Sequence, residues 1–421
     1  MNFKIFHPSG RLNGTVELPL SKSVINRMLI IQHLLGIPFE ALKNEPNDTR
    51  LMARALECIR NQKGQNGIQE IYAGDAGTVF RFLTALLCFT PGEWRLTGTD
   101  RMYQRPILPL IAALQTEHAQ IKFENGNSGP LIISGIRAPK KIAFEIKDTT
   151  SSQFATALLL LLPTFEEGIA IVVPKSLRSI SYLKMTYAML LGIGYQGEWK
   201  EHQENISIRM YGTPDLESSR IFKMSQELCW SSASFIYALS SLADQAEINL
   251  NQLSLESFQG DQESARIFHK FGIKTKTTDA GLQIDKSKWE IERMHLELEK
   301  LPDLVPAIVV LCAMKNVIIS CSGIEHLKFK ESNRIDALNS NLQQIGYSFV
   351  ENNDHYVLEK IGEALAVPRI KSFNDHRIVM AFSLVALKQP VIIEDVEVVQ
   401  KSFPEYWRQM RRLGFIIEKI A

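Results

Sequence analysis

The residues best suited to chemistry are Ser21, Lys22 and Ser23, with Arg27 one helical turn further on. A β-favouring run, Thr15 to Leu18, stops at Pro19, and a helical apolar pattern starts at Val24, so these residues fall at a helix N-terminus. Unpaired N–H groups and the helix dipole favour an anion there, and the fork of Arg27 can grip a phosphate or carboxylate with two bonds. A serine N-cap beside two solvated cations explains the same residues equally well. The rest of the chain weighs against that simpler reading.

Gly74-Asp75-Ala76-Gly77-Thr78 joins the strand-like Ile68–Ala73 to a helix, with Arg81 on its first turn. Its glycines would let backbone N–H groups approach an anion, although a plain glycine turn has the same spacing. Arg105 precedes Pro106 at another helix start. Thr150-Ser151-Ser152-Gln153 opens the most apolar helix; capping needs one such residue, and three hydroxyls with an amide suggest ligation of a phosphate or hydroxyl. Ser179 and Tyr182 open the next repeat in a similar way.

Asp303 is a lone acid in an apolar segment, where burial would raise its pKa and fit it to accept a hydroxyl proton; a capping aspartate is the alternative. Lys328 to Arg334 alternates cation and anion before a helix, which gives Glu331 a possible role in proton transfer. Asp375-His376-Arg377 and Lys401-Ser402-Phe403-Pro404 lead into further helices. Lys22, Arg27, Arg105, Lys330, Arg334, Arg377 and Lys401 all lie at or near predicted helix starts. Converging helix N-termini would build an electropositive cleft suited to two small polyanions.

The elements that must position these residues form an internal repeat: an apolar-striped helix, often a small residue or glycine, then two short β-favouring runs. Copies of this pattern begin at or near Arg50, Pro106, Tyr182, Gln262, Arg334 and Tyr406, six in all. Their period exceeds that of solenoid repeats, so compact units stacked three per domain fit better than an open array. With 421 residues two domains are expected, and the polar segment from Gly212 to Glu227 is the best boundary. A net charge of +1 gives no global pull toward nucleic acid or membrane. Five scattered cysteines show neither a zinc pattern nor a disulfide framework, and no apolar run reaches spanning length, which together point to the cytoplasm.

In this order the motifs resemble the EPSP synthase family, the 3-phosphoshikimate 1-carboxyvinyltransferases of the shikimate pathway. The likeness runs through Ser21-Lys22-Ser23 with Arg27, Gly74-x-Ala76-Gly77-Thr78 with Arg81, Arg105-Pro106, Ser151-Ser152-Gln153, Lys330-Glu331-Ser332-x-Arg334, Asp375-His376-Arg377 and Lys401-x-Phe403-Pro404. The resemblance implies an α/β enolpyruvyl transferase fold. Each of its two domains would hold three βαβαββ repeats about a pseudo-threefold axis, helices inside and sheets outside. The domains would be 21–226 and 1–20 plus 227–421, with the active site in the cleft between them.

For the residues, the resemblance implies that Lys22, Ser23, Arg27, Ser151, Ser152, Gln153, Ser179, Tyr182, Asp303, His326 and Lys330 bind shikimate 3-phosphate. Lys22, Gly77, Arg105, Gln153, Arg334, Arg377 and Lys401 would bind phosphoenolpyruvate. Asp303 and Lys22 would manage the proton of the acceptor hydroxyl, and Glu331 that of the methylene carbon. It implies no metal and no cofactor, a monomer acting on small molecules, and inhibition by glyphosate through the Gly77 loop. Four positions depart from the family pattern: Asp75 and His326 stand where asparagine is usual, and Cys229 and Asn333 where aspartate is usual. They leave open a catalytically weakened relative that only binds a phosphometabolite. A UDP-N-acetylglucosamine enolpyruvyl transferase is the other alternative, although neither Cys58 nor Cys88 looks like its loop thiol; a nucleic-acid-end-processing relative would need a basic excess the chain lacks.

Overall fold

The computed structural model describes residues 1–39, 46–61, 67–117, 119–215, 224, 226–353 and 355–420. It divides into two compact units, Lys22–Glu227 and Met1–Ser21 with Leu228–Ala421. Among the described residues the first unit holds two four-stranded sheets and the second holds three.

All five sheets share one plan. In the sheet of Ile68–Tyr72, Gly92–Thr97, Gln120–Phe123 and Leu131–Gly135, the first two strands are parallel, the fourth lies antiparallel beside the second, and the third pairs with the fourth. Parallel neighbours require a long crossover and antiparallel ones only a turn, so in this sheet one helix separates the first two strands and the last two form a hairpin, whereas the crossover from Arg11–Val16 to Gln245–Asn251 takes in the whole Lys22–Glu227 unit. The strands alternate in burial, as Lys141–Glu145 does, while helices such as Trp230–Leu242 are buried on every side. One face of each sheet therefore packs on a helical interior, as expected for helices that are apolar all round. The sheet that closes the chain is completed from its other end: Asn2–Phe6 pairs antiparallel with both Val391–Ile393 and Ile416–Ile420.

Three expectations need adjustment. Helices Lys22–Leu34 and Asn47–Asn61 supply the helical part of a sixth copy, but among the described residues they have no four-stranded sheet of their own. Residues 40–45 and 62–66, which border the second of them, lie outside the described residues, as does most of the expected boundary, 216–223 and 225. The most apolar run is not one long helix: Gln153–Leu159 gives way to a short 3-10 turn, Leu162–Thr164, because Pro163 has no N–H to continue the ladder. Likewise the helix expected after Asp375-His376-Arg377 is His376–Phe382 followed by a 3-10 segment, Ser383–Leu387. Among the described residues no helix is long and apolar enough to cross a membrane, and no group of three or more His, Cys, Asp or Glu could hold a metal ion.

Candidate active site

In the Lys22–Glu227 unit, Lys22 opens the helix Lys22–Leu34 and its Nζ lies 3.1 Å from Asp48 Oδ2. Arg27, one turn on, points inward and is buried. Its Nε donates to Thr186 Oγ1 (2.7 Å), and its two terminal nitrogens donate to the carbonyls of Ser23 (2.6 Å) and Tyr182 (3.2 Å). The guanidinium also sits 5.4 Å from the Phe82 ring centroid. These partners are neutral, and burial pushes its pKa down to about 9. A solvated surface cation is thereby ruled out for Arg27.

Arg105 lies buried against the start of the helix Gly77–Cys88, donating to the Asp75 carbonyl at 3.1 Å. A Cβ at position 77 would stand 2.6 Å from one of its terminal nitrogens and 2.7 Å from its Cζ. Any side chain there would force the guanidinium to shift. Arg81 fixes the next residue of the set: it donates to Gln153 Oε1 at 2.5 Å and is itself held by the Pro106 carbonyl (2.6 and 3.1 Å). The sequence reading gave Arg81 no ligand, and it acts here by orienting the Gln153 amide.

The hydroxyls do less capping than expected. Ser152, at the N-cap of Gln153–Leu159, makes no side-chain cap bond; Ser151 Oγ accepts from the Gln153 N–H at 3.3 Å instead. Ser179 is buried with a left-handed backbone, φ 57°, at the head of Ile180–Gly192, and caps nothing. A non-glycine residue held there costs roughly 1–2 kcal/mol, so the turn is maintained by its surroundings. Tyr182, on the first turn, gives its carbonyl to Arg27 and to Thr186 Oγ1 (3.0 Å).

The other unit carries an ionic cluster. Arg334, 1% exposed at the start of Arg334–Leu342, bonds three carboxylates: Asp375 through Nε (2.8 Å), Asp303 (2.9 Å) and Glu331 (2.7 Å). Arg377 takes the second Asp303 oxygen at 2.5 Å. Asp375 caps its own helix by accepting from the Arg377 N–H (2.9 Å) and also receives Ser332 Oγ (3.1 Å). Asp303 is therefore neither a helix cap nor a carboxyl with a raised pKa. Burial pushes it up, but Arg377, Arg334 and Lys330 outweigh burial and hold it far below the usual carboxylate range. Lys330 follows the 3-10 segment Glu325–Phe329, which carries the buried His326. Lys401 Nζ donates to the Asn374 carbonyl at 3.1 Å, in a turn whose Phe373 and Asn374 both have positive φ.

Two residues of this region escaped the sequence reading. Asp261 is buried, accepts from Ser231 Oγ, and has its pKa pushed up to about 6 by burial and by Asp303. Gln259 receives Ser21 Oγ and the Trp230 N–H, both at 3.0 Å, and donates to the Leu228 carbonyl at 2.7 Å. Neither stands in a patterned stretch; Gly260 between them is the only local signal. Of the four departures, two are helix caps. Asn333 Oδ1 and Cys229 Sγ each accept an N–H three residues on, at 3.4 Å. Asparagine suits that task about as well as aspartate.

The family model described as "EPSP synthase (3-phosphoshikimate 1-carboxyvinyltransferase)" matches residues 6–410. The 3-phosphoshikimate 1-carboxyvinyltransferase of Bacteroides fragilis is 35% identical over 425 residues, covering 99% of both chains. That of Shigella dysenteriae is 29% identical, covering 97% of this chain and 98% of its own. An EPSP synthase structure from Acinetobacter baumannii superposes with a TM-score of 0.73 over 99% of this chain and all of its own, at 21% identity, a likeness of fold. The fold, the motif residues and these full-length matches agree, and the chain belongs to the EPSP synthase family.

Proposed function

We propose that this protein transfers the enolpyruvyl group of phosphoenolpyruvate to the 5-hydroxyl of shikimate 3-phosphate and releases phosphate by addition and elimination. The observation that carries the reading is the Asp303–Arg334–Glu331 cluster with Arg377, which holds two carboxylates at fixed positions on two guanidinium groups. Asp303 is ionised and weakly basic while both arginines grip it. An anionic substrate on Arg377 and Arg334 would share their charge and make Asp303 a stronger base only when the second reactant is in place. Lys22 would complete the hydroxyl's proton path, and Glu331 would deliver and remove the methylene proton.

On this reading Arg27, Ser23, Ser151, Ser152, Gln153, Ser179, Tyr182, His326 and Lys330 hold shikimate 3-phosphate. Arg105 over Gly77, Gln153, Lys401 and the two cluster arginines hold phosphoenolpyruvate. The protein acts as a monomer in the cytoplasm on small molecules alone. A UDP-N-acetylglucosamine acceptor is disfavoured because that chemistry needs a reactive thiol. Burial pushes the thiols of Cys58, Cys88, Cys312 and Cys321 up, Cys321 to about 12.

Phosphate release from phosphoenolpyruvate, with either acceptor, tests the proposal. Release with shikimate 3-phosphate alone, lost in Lys22→Ala and Glu331→Ala, is expected. Binding of shikimate 3-phosphate without turnover would instead make the protein a phosphometabolite binder.

A further inference from the structure

In the discontinuous unit the strands Arg369–Ile370 and Val391–Ile393 run parallel, with Ile370 opposite Ile393. Ser372 and Asp395 each stand two residues past that pair. After Ser372 the chain turns through Phe373 and Asn374 to Asp375 and the helix of Arg377; after Asp395 it forms the 3-10 segment Val396–Lys401. Beyond the backbone ladder a side chain ties the two strand ends together, for Ser372 Oγ donates to Asp395 Oδ2 at 3.1 Å. Ser372 is buried. Its hydroxyl also accepts from the Asn374 N–H (3.1 Å), and its carbonyl accepts from the Asp375 N–H (3.0 Å).

These bonds hold an unfavourable backbone. Phe373, Asn374 and Asp395 have φ of 51°, 56° and 47°, in the left-handed region that disfavours residues with a Cβ and bulky ones such as phenylalanine most. Such a turn persists only where its surroundings over-determine it. What it presents is the Asn374 carbonyl, which accepts from Lys401 Nζ at 3.1 Å. An ammonium has three donors, and a neutral carbonyl takes one without cancelling the charge, so this bond aims Lys401 and leaves it a cation. Lys401 is thus tied to the clasp twice. Its main chain follows from Asp395, and its ammonium rests on the turn that Ser372 maintains.

We propose that Ser372, clasped to Asp395, is a positioning residue for Lys401: it fixes the turn whose carbonyl aims the ammonium. The inference rests on the function proposed above only in taking phosphoenolpyruvate as the anion that Lys401 holds. Without the Ser372 hydroxyl, the Asn374 N–H loses its acceptor, the left-handed pair relaxes, and the carbonyl moves away from the ammonium. The cost of ordering a long, rotamer-rich lysine then falls on substrate binding. Chemistry on the bound substrate is left as it was.

The test joins kinetics to a direct view of the lysine. In phosphate-release assays on the full-length protein, Ser372→Ala should raise the KM for phosphoenolpyruvate about tenfold, with kcat and the KM for shikimate 3-phosphate within about twofold. Asp395→Ala should do the same. Asp395→Asn, which keeps an acceptor for the hydroxyl and tolerates the left-handed backbone, should restore nearly the original values. In a Lys401→Ala background, Ser372→Ala should add less than about twofold, since the lysine through which it acts is gone. The full effect in that background would mean that the turn acts on Arg377 instead, and it would overturn the proposal, as would an unchanged KM in Ser372→Ala. A second readout needs no turnover: with an NMR-visible carbon isotope at lysine Cε, the Lys401 signal, identified by its loss in Lys401→Arg, should move toward that of exposed lysines in Ser372→Ala. An unmoved signal overturns the inference, whereas unmodified protein that turns over no phosphoenolpyruvate overturns only the proposed function.

Discussion

The two units treat their buried arginines in opposite ways. Arg27 and Arg105 of the Lys22–Glu227 unit bond to carbonyls and a hydroxyl, all neutral. Arg334 and Arg377 of the other bond to carboxylates. Neutral partners satisfy a guanidinium's donors without cancelling its charge, so the first arrangement leaves a desolvated cation awaiting an anion. The second is already paired, and its arginines serve to fix acids in place.

The largest effect is expected from breaking the paired side. Arg334→Met would leave Asp303, Glu331 and Asp375 without their shared cation, at a cost of about 3–5 kcal/mol in denaturant unfolding, and would abolish phosphate release. The same change on the other side sharpens the contrast. Arg27→Met removes a buried charge that no carboxylate offsets, so unfolding stability should stay within about 1 kcal/mol while the KM for shikimate 3-phosphate rises at least roughly tenfold. Equal destabilisation by the two substitutions would dissolve the distinction.

Gly77→Ala comes next. The Arg105 fork must move a few tenths of an ångström or more, so the KM for phosphoenolpyruvate should rise several-fold with little change in the unfolding midpoint. A pH experiment probes the excess of acid on the paired side. Asp261 has a folded pKa of about 6, above the unfolded value of about 3.9, so its folded form prefers the proton. Its contribution falls as pH rises from about 4 to about 6 and stays low above that. Asp261→Asn should flatten the stability profile across that window. An unchanged slope would mean that Asp261 does not hold its proton there.

The motif residues were legible because each lies in a short run at a strand-to-helix junction, where local chemistry shows in the sequence. Their partners were not. Arg334 finds Asp303 31 residues before it and Asp375 41 residues after it, and only the fold brings the three together. For that reason Asp303 was misread: a lone acid in an apolar segment suggests a raised pKa until the arginines facing it are seen. Arg27 was read as a solvated cation or a ligand, and its burial among Thr186, Tyr182 and Phe82 had no local sign. Repeat helices stood out through their apolar stripes, whereas strands as short as Val391–Ile393 carry too few residues to show a period.

The placement of Asn2–Phe6 between Val391–Ile393 and Ile416–Ile420 sets a timetable for biosynthesis. Lys22–Glu227 is one continuous stretch and can be completed while translation is still under way. Asn2–Phe6 must wait for Ile416–Ile420 to be made, roughly 20–80 s at bacterial and eukaryotic elongation rates. Throughout that interval Phe3 and Ile5, buried in the finished sheet, have no sheet to enter. A nascent chain stalled far enough past Glu227 for that residue to clear the ribosomal exit tunnel should therefore already protect the Lys22–Glu227 unit from protease while the Asn2–Phe6 segment is still open to cleavage.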